Sequence, residues 1–102
     1  MGAMQFQVFI SHTYVQTAFD TAVKQARYDY GHAGYTGTIA EKDGYTVVKS
    51  APMRSNEAGE YLHDMFERDD SRLGKWEPAC AVAVADDEGK HIGWTFFGYS
   101  PS

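Results

Sequence analysis

Residues 28–49, YDYGHAGYTGTIAEKDGYTVVK, restrict the fold of this chain more than any other stretch. Gly31 follows an apolar helical pattern where a left-handed cap is wanted, so a helix ends there. Gly34 and Gly37 bracket Tyr35 and Thr36, leaving a backbone free to bend or to approach a neighbour closely. Asp43-Gly44 between two β-type runs is the strongest short-range hairpin signal a sequence offers. A two-residue loop there pairs Lys42 with Tyr45, which sets Ile39 opposite Val48 and Ala40 opposite Val47. The stretch predicts helix, glycine loop, strand, tight turn and strand.

The flanks extend that pattern. Residues 5–11 alternate as a strand with Phe6, Val8 and Ile10 on one face. Thr13 with Gln16 makes a capping-box pattern ahead of a helix whose stripe is Val15, Ala18, Ala22, Val23, Ala26 and Tyr30. Ala51-Pro52 ends the second hairpin strand, and Ser55 or Asn56 is placed to cap a second helix. Ala58, Tyr61, Leu62, Met65 and Phe66 form the apolar stripe of that helix. A polar connection follows over residues 69–76, with Leu73 and Trp76 expected against the core. The strand at residues 79–85 sets Cys80, Val82 and Val84 on one face and only alanines on the other. After a turn at Asp86-Asp87-Glu88-Gly89, residues 90–99 form a last strand. Ile92, Trp94 and Phe96 lie on one side of it, with His91, Thr95, Phe97 and Tyr99 on the other. The order is β-α-β-β-α-β plus a C-terminal strand. It predicts an α+β, ferredoxin-like plait: an antiparallel sheet with two helices on one face. The other face, carrying Phe97, Tyr99 and the alanine row, is then open.

At 102 residues the chain is one domain, residues 4–102, with residues 1–3 reading as a vector-derived scar ahead of Met4. Its 43% apolar content is enough for a packed core and argues against disorder. No apolar run approaches the ~18 residues of a membrane span, and the one cysteine, Cys80, excludes an intrachain disulfide and fits a reducing compartment. The expectation is a cytoplasmic protein without a membrane partner. Net charge is −5, and residues 57–70 carry all of it, with six acids against Arg68 alone. That balance disfavours nucleic acid, whose affinity comes mainly from cationic contacts to phosphate.

Chemistry is harder to find. His12, His32, His63 and His91 fall in four different elements with no metal-ligand spacing, and Glu60-x-x-His63 is half of an iron motif without its second half. Cys80, among small apolar residues, reads as a buried structural thiol. No nucleophile elbow, Walker loop or dinucleotide fingerprint is present. The glycines of GHAGYTG close a helix instead of opening one, so the local dipole opposes an anion. No cofactor is implied, and an enzyme is disfavoured. Two surfaces remain. The acidic helix, with Glu57, Glu60, Asp64 and Glu67, suits docking to a basic partner. The open sheet face, with Phe97 and Tyr99, suits a partner or a homodimer, or else cover by the fifth strand of the same chain. An alternative is a small-molecule site or small enzyme at the glycine loop, its polar rim made of His32, Tyr35 and Glu41. A weaker one is single-stranded nucleic acid stacked on Phe97 and Tyr99.

YDYGHAGYTGTIAEKDGYTVV, and more loosely the late segment DDSRLGKWEPA, resembles small uncharacterised proteins of bacteriophages and prophages, chiefly actinobacterial. The resemblance implies a phage accessory protein and supplies no activity or catalytic residue. Taken with the surfaces above, the expected function is non-enzymatic binding to a host protein in the host cytoplasm.

Overall fold

The computed structural model describes residues 2–32 and 34–102. Six main elements follow in order: strand β1 (Ala3–Ile10), helix α1 (Val15–Tyr30), strand β2 (Tyr45–Arg54), helix α2 (Ser55–Glu67), strand β3 (Ala79–Ala85) and strand β4 (His91–Pro101). Short 3-10 turns, Ile39–Glu41 and Ser71–Leu73, lie in the two long connections. The strands form one sheet in the order β1-β4-β3-β2. β4 is antiparallel to both β1 and β3, whereas β2 and β3 are parallel. The class is α+β with a mixed sheet. The strand order and the parallel pair are not those of a ferredoxin-like plait, so that expectation is corrected.

The pair directions make β1, β2 and β3 run the same way, with β4 alone opposed. The chain crosses from β1 at one edge to β2 at the other through α1, then steps back to β3 through α2. Crossovers of one hand that travel in opposite directions cover opposite faces of a sheet. Accordingly α1 lays Ala18, Phe19, Ala22, Val23 and Ala26 on Ala79, Ala81, Ala83, Trp94 and Phe96. On the other side α2 lays Ala58, Leu62 and Met65 on Cys80, Val82, Val84 and Phe97. The two faces of β3 are those its alternation predicts, but each has its own helix. The expected open face is therefore closed. Phe97 pairs with Cys80 and shares its face, not that of the alanine row.

Both cores follow from side-chain size. Alanines on α1 and on β3 let helix and strand approach closely, and Phe19 then meets Tyr45 and Phe96 with ring centroids 5.2 and 5.7 Å apart. Across the sheet, Phe66 stands edge-on to Phe97 and Tyr99. Phe96 and Phe97 are fully buried, each contributing about 1.5–3 kcal/mol of transfer free energy. Ile92 joins the α2 side although Trp94 and Phe96 face α1, because the pairing slips between Val84 and Ala85.

The hairpin expected around Asp43-Gly44 does not exist. Gly37 has φ 72° and Tyr35 φ 54°, so the backbone turns where a strand was predicted. Thr38 then caps the first 3-10 turn, its hydroxyl accepting from the Ala40 amide at 3.2 Å. Ile39 is buried beneath α1 instead of facing Val48. Gly44 leads straight into β2, its carbonyl accepting from the Ala79 amide at 3.0 Å. A wholly buried β3 outcompetes a local hairpin partner for β2. Pro52 does not stop β2 either, because the strand is at an edge and its pairing skips from Lys49 to Met53, where no donor is needed.

Gly31 does end α1, with φ 83° and its amide on the Arg27 carbonyl at 2.9 Å. The predicted capping box is absent. The Tyr14 amide donates to His12 Nδ1, and the Thr13 carbonyl is taken by Trp94 Nε1 at 2.8 Å. Helix α2 continues directly from β2 with no side-chain cap from Ser55 or Asn56. Leu73 is buried as expected, but Trp76 is 68% exposed, with the Lys75 ammonium 5.5 Å from its ring centre.

Candidate functional site

Helix α2 buries Ala58, Leu62 and Met65, which fixes what it shows to solvent. Glu57, Glu60, Asp64 and Glu67 are all exposed. Their spacing of three, four and three residues confines them to an arc of about 80°, along roughly 15 Å of helix. Glu67 lies 3.5 Å from His63 with both side chains mostly solvated. Among the described residues no cation pairs with Glu57, Glu60 or Asp64. The nearby arginines are engaged elsewhere. Asp70 accepts from Arg72 Nε at 3.0 Å, Arg72 Nη2 at 2.8 Å, the Arg72 amide at 3.0 Å and Arg68 Nη2 at 3.3 Å. Those bonds from Arg72, with Arg68 adding to them, hold the Asp70 carboxyl far below the usual carboxylate range. The stripe on α2 thus keeps its charge unbalanced.

The other nominated partner residues are not available. Phe97 has no exposed surface, and Tyr99 is half-buried against Phe66. With α2 over them they form no platform for a partner subunit or for stacked bases.

The glycine loop is built around its own carboxylate. Glu41 Oε2 accepts from the Thr36 hydroxyl at 2.8 Å and the Thr36 amide at 3.2 Å. Burial raises the Glu41 pKa, but the Thr36 hydroxyl and amide, the Tyr35 amide and Arg27 outweigh it, so the carboxyl sits below its ordinary value. Glu41 holds the loop together and is not a free ligand group. His32 and Tyr35 are exposed, and the structure gives the expected rim no shared carboxylate.

Next to Glu41, Lys42 is buried, and its ammonium donates to the carbonyls of Gly74, Lys75 and Glu77 at 3.2, 3.1 and 2.7 Å. It ties the connection before β2 to the connection before β3. Burial lowers its pKa, against Cys80 and Glu77, which favour the charged form. Cys80 is indeed a buried thiol, donating to the Arg72 carbonyl at 3.4 Å, and burial pushes its pKa up to about 11. Sequence reasoning missed Lys42 because a lone lysine beside a turn carries no mark of burial.

One further feature was not legible. A groove of about 400 Å³ is lined by β1, the C-terminal half of α1 and Thr36–Ile39. Ala22, Ala26, Asp29 and Tyr30 line it on the helix side. Among the described residues no helix is long and apolar enough to cross a membrane. No protein-family model, curated protein or solved structure matches the chain.

Proposed function

We propose that this protein is a non-enzymatic binding module that engages a basic protein surface through the acidic stripe of α2. The supporting observation is the placement of Glu57, Glu60 and Asp64 on one exposed face, where among the described residues no cation forms an ion pair with them. Uncompensated charge of one sign steers a complementary partner and disfavours others. The resemblance to phage and prophage proteins makes a host protein the natural partner, in an accessory role. The alternative site at His32, Tyr35 and Glu41 has less support, since Glu41 is committed to Thr36.

The test is a triple reversal, Glu60→Lys with Asp64→Lys and Glu67→Lys, compared with wild type in copurification from the native host. All three positions are exposed, so the fold should persist. The expected result is loss of a partner that wild type retains at low salt and releases as salt rises. Retention of the same partner by the reversed protein would remove α2 from the reading.

A further inference from the structure

The two edges of the sheet differ in kind. β2 carries Lys49 and Pro52, and its pairing slips twice. Charge, proline and irregularity are the devices that keep an edge strand from recruiting another. β1 has none of them. From Met4 to Ile10 it has no charged residue and no proline, and its register with β4 is unbroken. Met4 is 55% exposed and Phe9 44%.

The hydrogen-bond parity shows which backbone groups that edge offers. Gly2 and Ser102 exchange both amide–carbonyl bonds, at 3.3 and 3.1 Å. Doubly bonded pairs recur at every second residue of an antiparallel ladder. With the register continuous, Met4, Phe6, Val8 and Ile10 turn their backbone groups toward β4. Gln5, Gln7 and Phe9 turn theirs outward, where no described residue bonds them. The groove beside α1 is lined by five consecutive β1 residues, 4–8, and so lies against this edge strand.

We infer that β1 pairs antiparallel with β1 of a second copy, joining two sheets into one. The strand is its own complement about Gln7. Centred there, Gln7 meets the partner's Gln7, Gln5 meets the partner's Phe9, and every outward amide and carbonyl finds an outward counterpart. Met4 falls opposite the partner's Ile10 and Phe6 opposite the partner's Val8, so apolar groups meet along the α1 side and fill the groove. No like charges are opposed. A slip of one residue would set outward groups against inward ones and forfeit the ladder. An uncharged, self-complementary strand selects a second copy over a charged foreign peptide.

The experiment is solution mass by sedimentation together with amide hydrogen exchange. Wild type is expected at twice 11.4 kDa, with the Gln5, Gln7 and Phe9 amides slowed as concentration rises. Gln7→Pro deletes only an outward donor, leaves the β4 ladder intact and is expected to be a folded monomer. Should that variant fail to fold, Gln7→Cys replaces it. Opposed residues of a doubly bonded pair lie about 5.5 Å apart at Cα, within disulfide range, so an oxidised, linked dimer is expected. Wild type remaining a monomer at every accessible concentration would overturn the inference. So would a dimer indifferent to Gln7→Pro, or a Gln7→Cys protein that does not link.

Discussion

Replacing Lys42 by methionine keeps the length and apolar volume of the stem and removes only the ammonium. That ammonium is the joint between the two long connections, bonded to three carbonyls of residues 74–77 and only 5% exposed as a residue. Hydrogen bonds from a charged donor contribute about 1.5–3 kcal/mol each, so the gross interaction is ~5 kcal/mol or more. Two effects offset it. Taking the ammonium out of water costs several kcal/mol, which is why burial lowers its pKa. The freed carbonyls also lie in a connection where Gly74 and Lys75 are half-exposed and Glu77 is exposed, so water reaches them. We expect a net loss of about 2 kcal/mol, or a Tm lower by about 10 °C for a domain of this size. Calorimetry and urea unfolding of Lys42→Met measure it. A Tm within about 2 °C of wild type would mean that desolvation cancels the three bonds, and the anchor would be refuted.

Other positions yield equally direct tests. Glu41 has a folded-state pKa below its unfolded value, so its contribution is present above the unfolded pKa and lost as pH falls through the folded one. Glu41→Gln is expected to cost about 1 kcal/mol at pH 7 and to flatten the loss of stability on acidification. Parallel urea curves for both proteins across that range would contradict the loop assignment. Gly93→Ala drives a Cβ into the Ile10 carbonyl oxygen and to 2.8 Å from the Phe9 ring, a clash of about 3 kcal/mol or more. Gly59→Ala meets nothing within 4 Å in α2 and is expected to stabilise by about 0.5–1 kcal/mol. A reversed order of the two melting temperatures would show that the β1–β4 approach is wrongly placed. Cys80, with its pKa pushed up to about 11, should resist thiol reagents at pH 8 until the protein is unfolded. Fast labelling of the native protein would show that the α2 side is open.

What the sequence discloses and what it hides divide along a physical line. Periodicity reports which residues are buried, so the stripe of α2, the two faces of β3 and the alanines and Val23 of α1 were legible, although Tyr30, expected on that stripe, is exposed and Phe19, left off it, is buried. It does not report which element does the burying. The alanine row and the Cys80, Val82, Val84 row of β3 each predict a covered face, yet nothing local says that the covers are two helices on opposite sides. That follows from β2 pairing with β3 in parallel, a contact across α2. Asp43-Gly44 misled for the same reason. Its turn preference is worth little beside a buried β3 needing a neighbour, and Gly37 in a positive-φ turn with Ile39 under α1 removes the competing strand. The acidic stripe was legible because exposure of charge needs no partner, whereas Lys42 was not because its acceptors are backbone atoms more than thirty residues away.

The two proposed surfaces are coupled by geometry. Antiparallel pairing of two β1 edges is related by a two-fold axis perpendicular to the joined sheet, so like faces stay on the same side. Both copies of α2 then present their acidic stripes to one side, and a partner with two basic sites, or a dense array of them, meets both at once. A second engagement within one complex proceeds at an effective concentration in the mM range and can raise apparent affinity by about 10²–10⁴. On a sensor surface densely coated with the copurified partner, wild type should therefore bind at least ~100-fold more tightly than monomeric Gln7→Pro. On a sparse surface, where only one stripe engages, the two should bind alike. Equal affinities at both densities would show that the stripes do not act together, even if each binds.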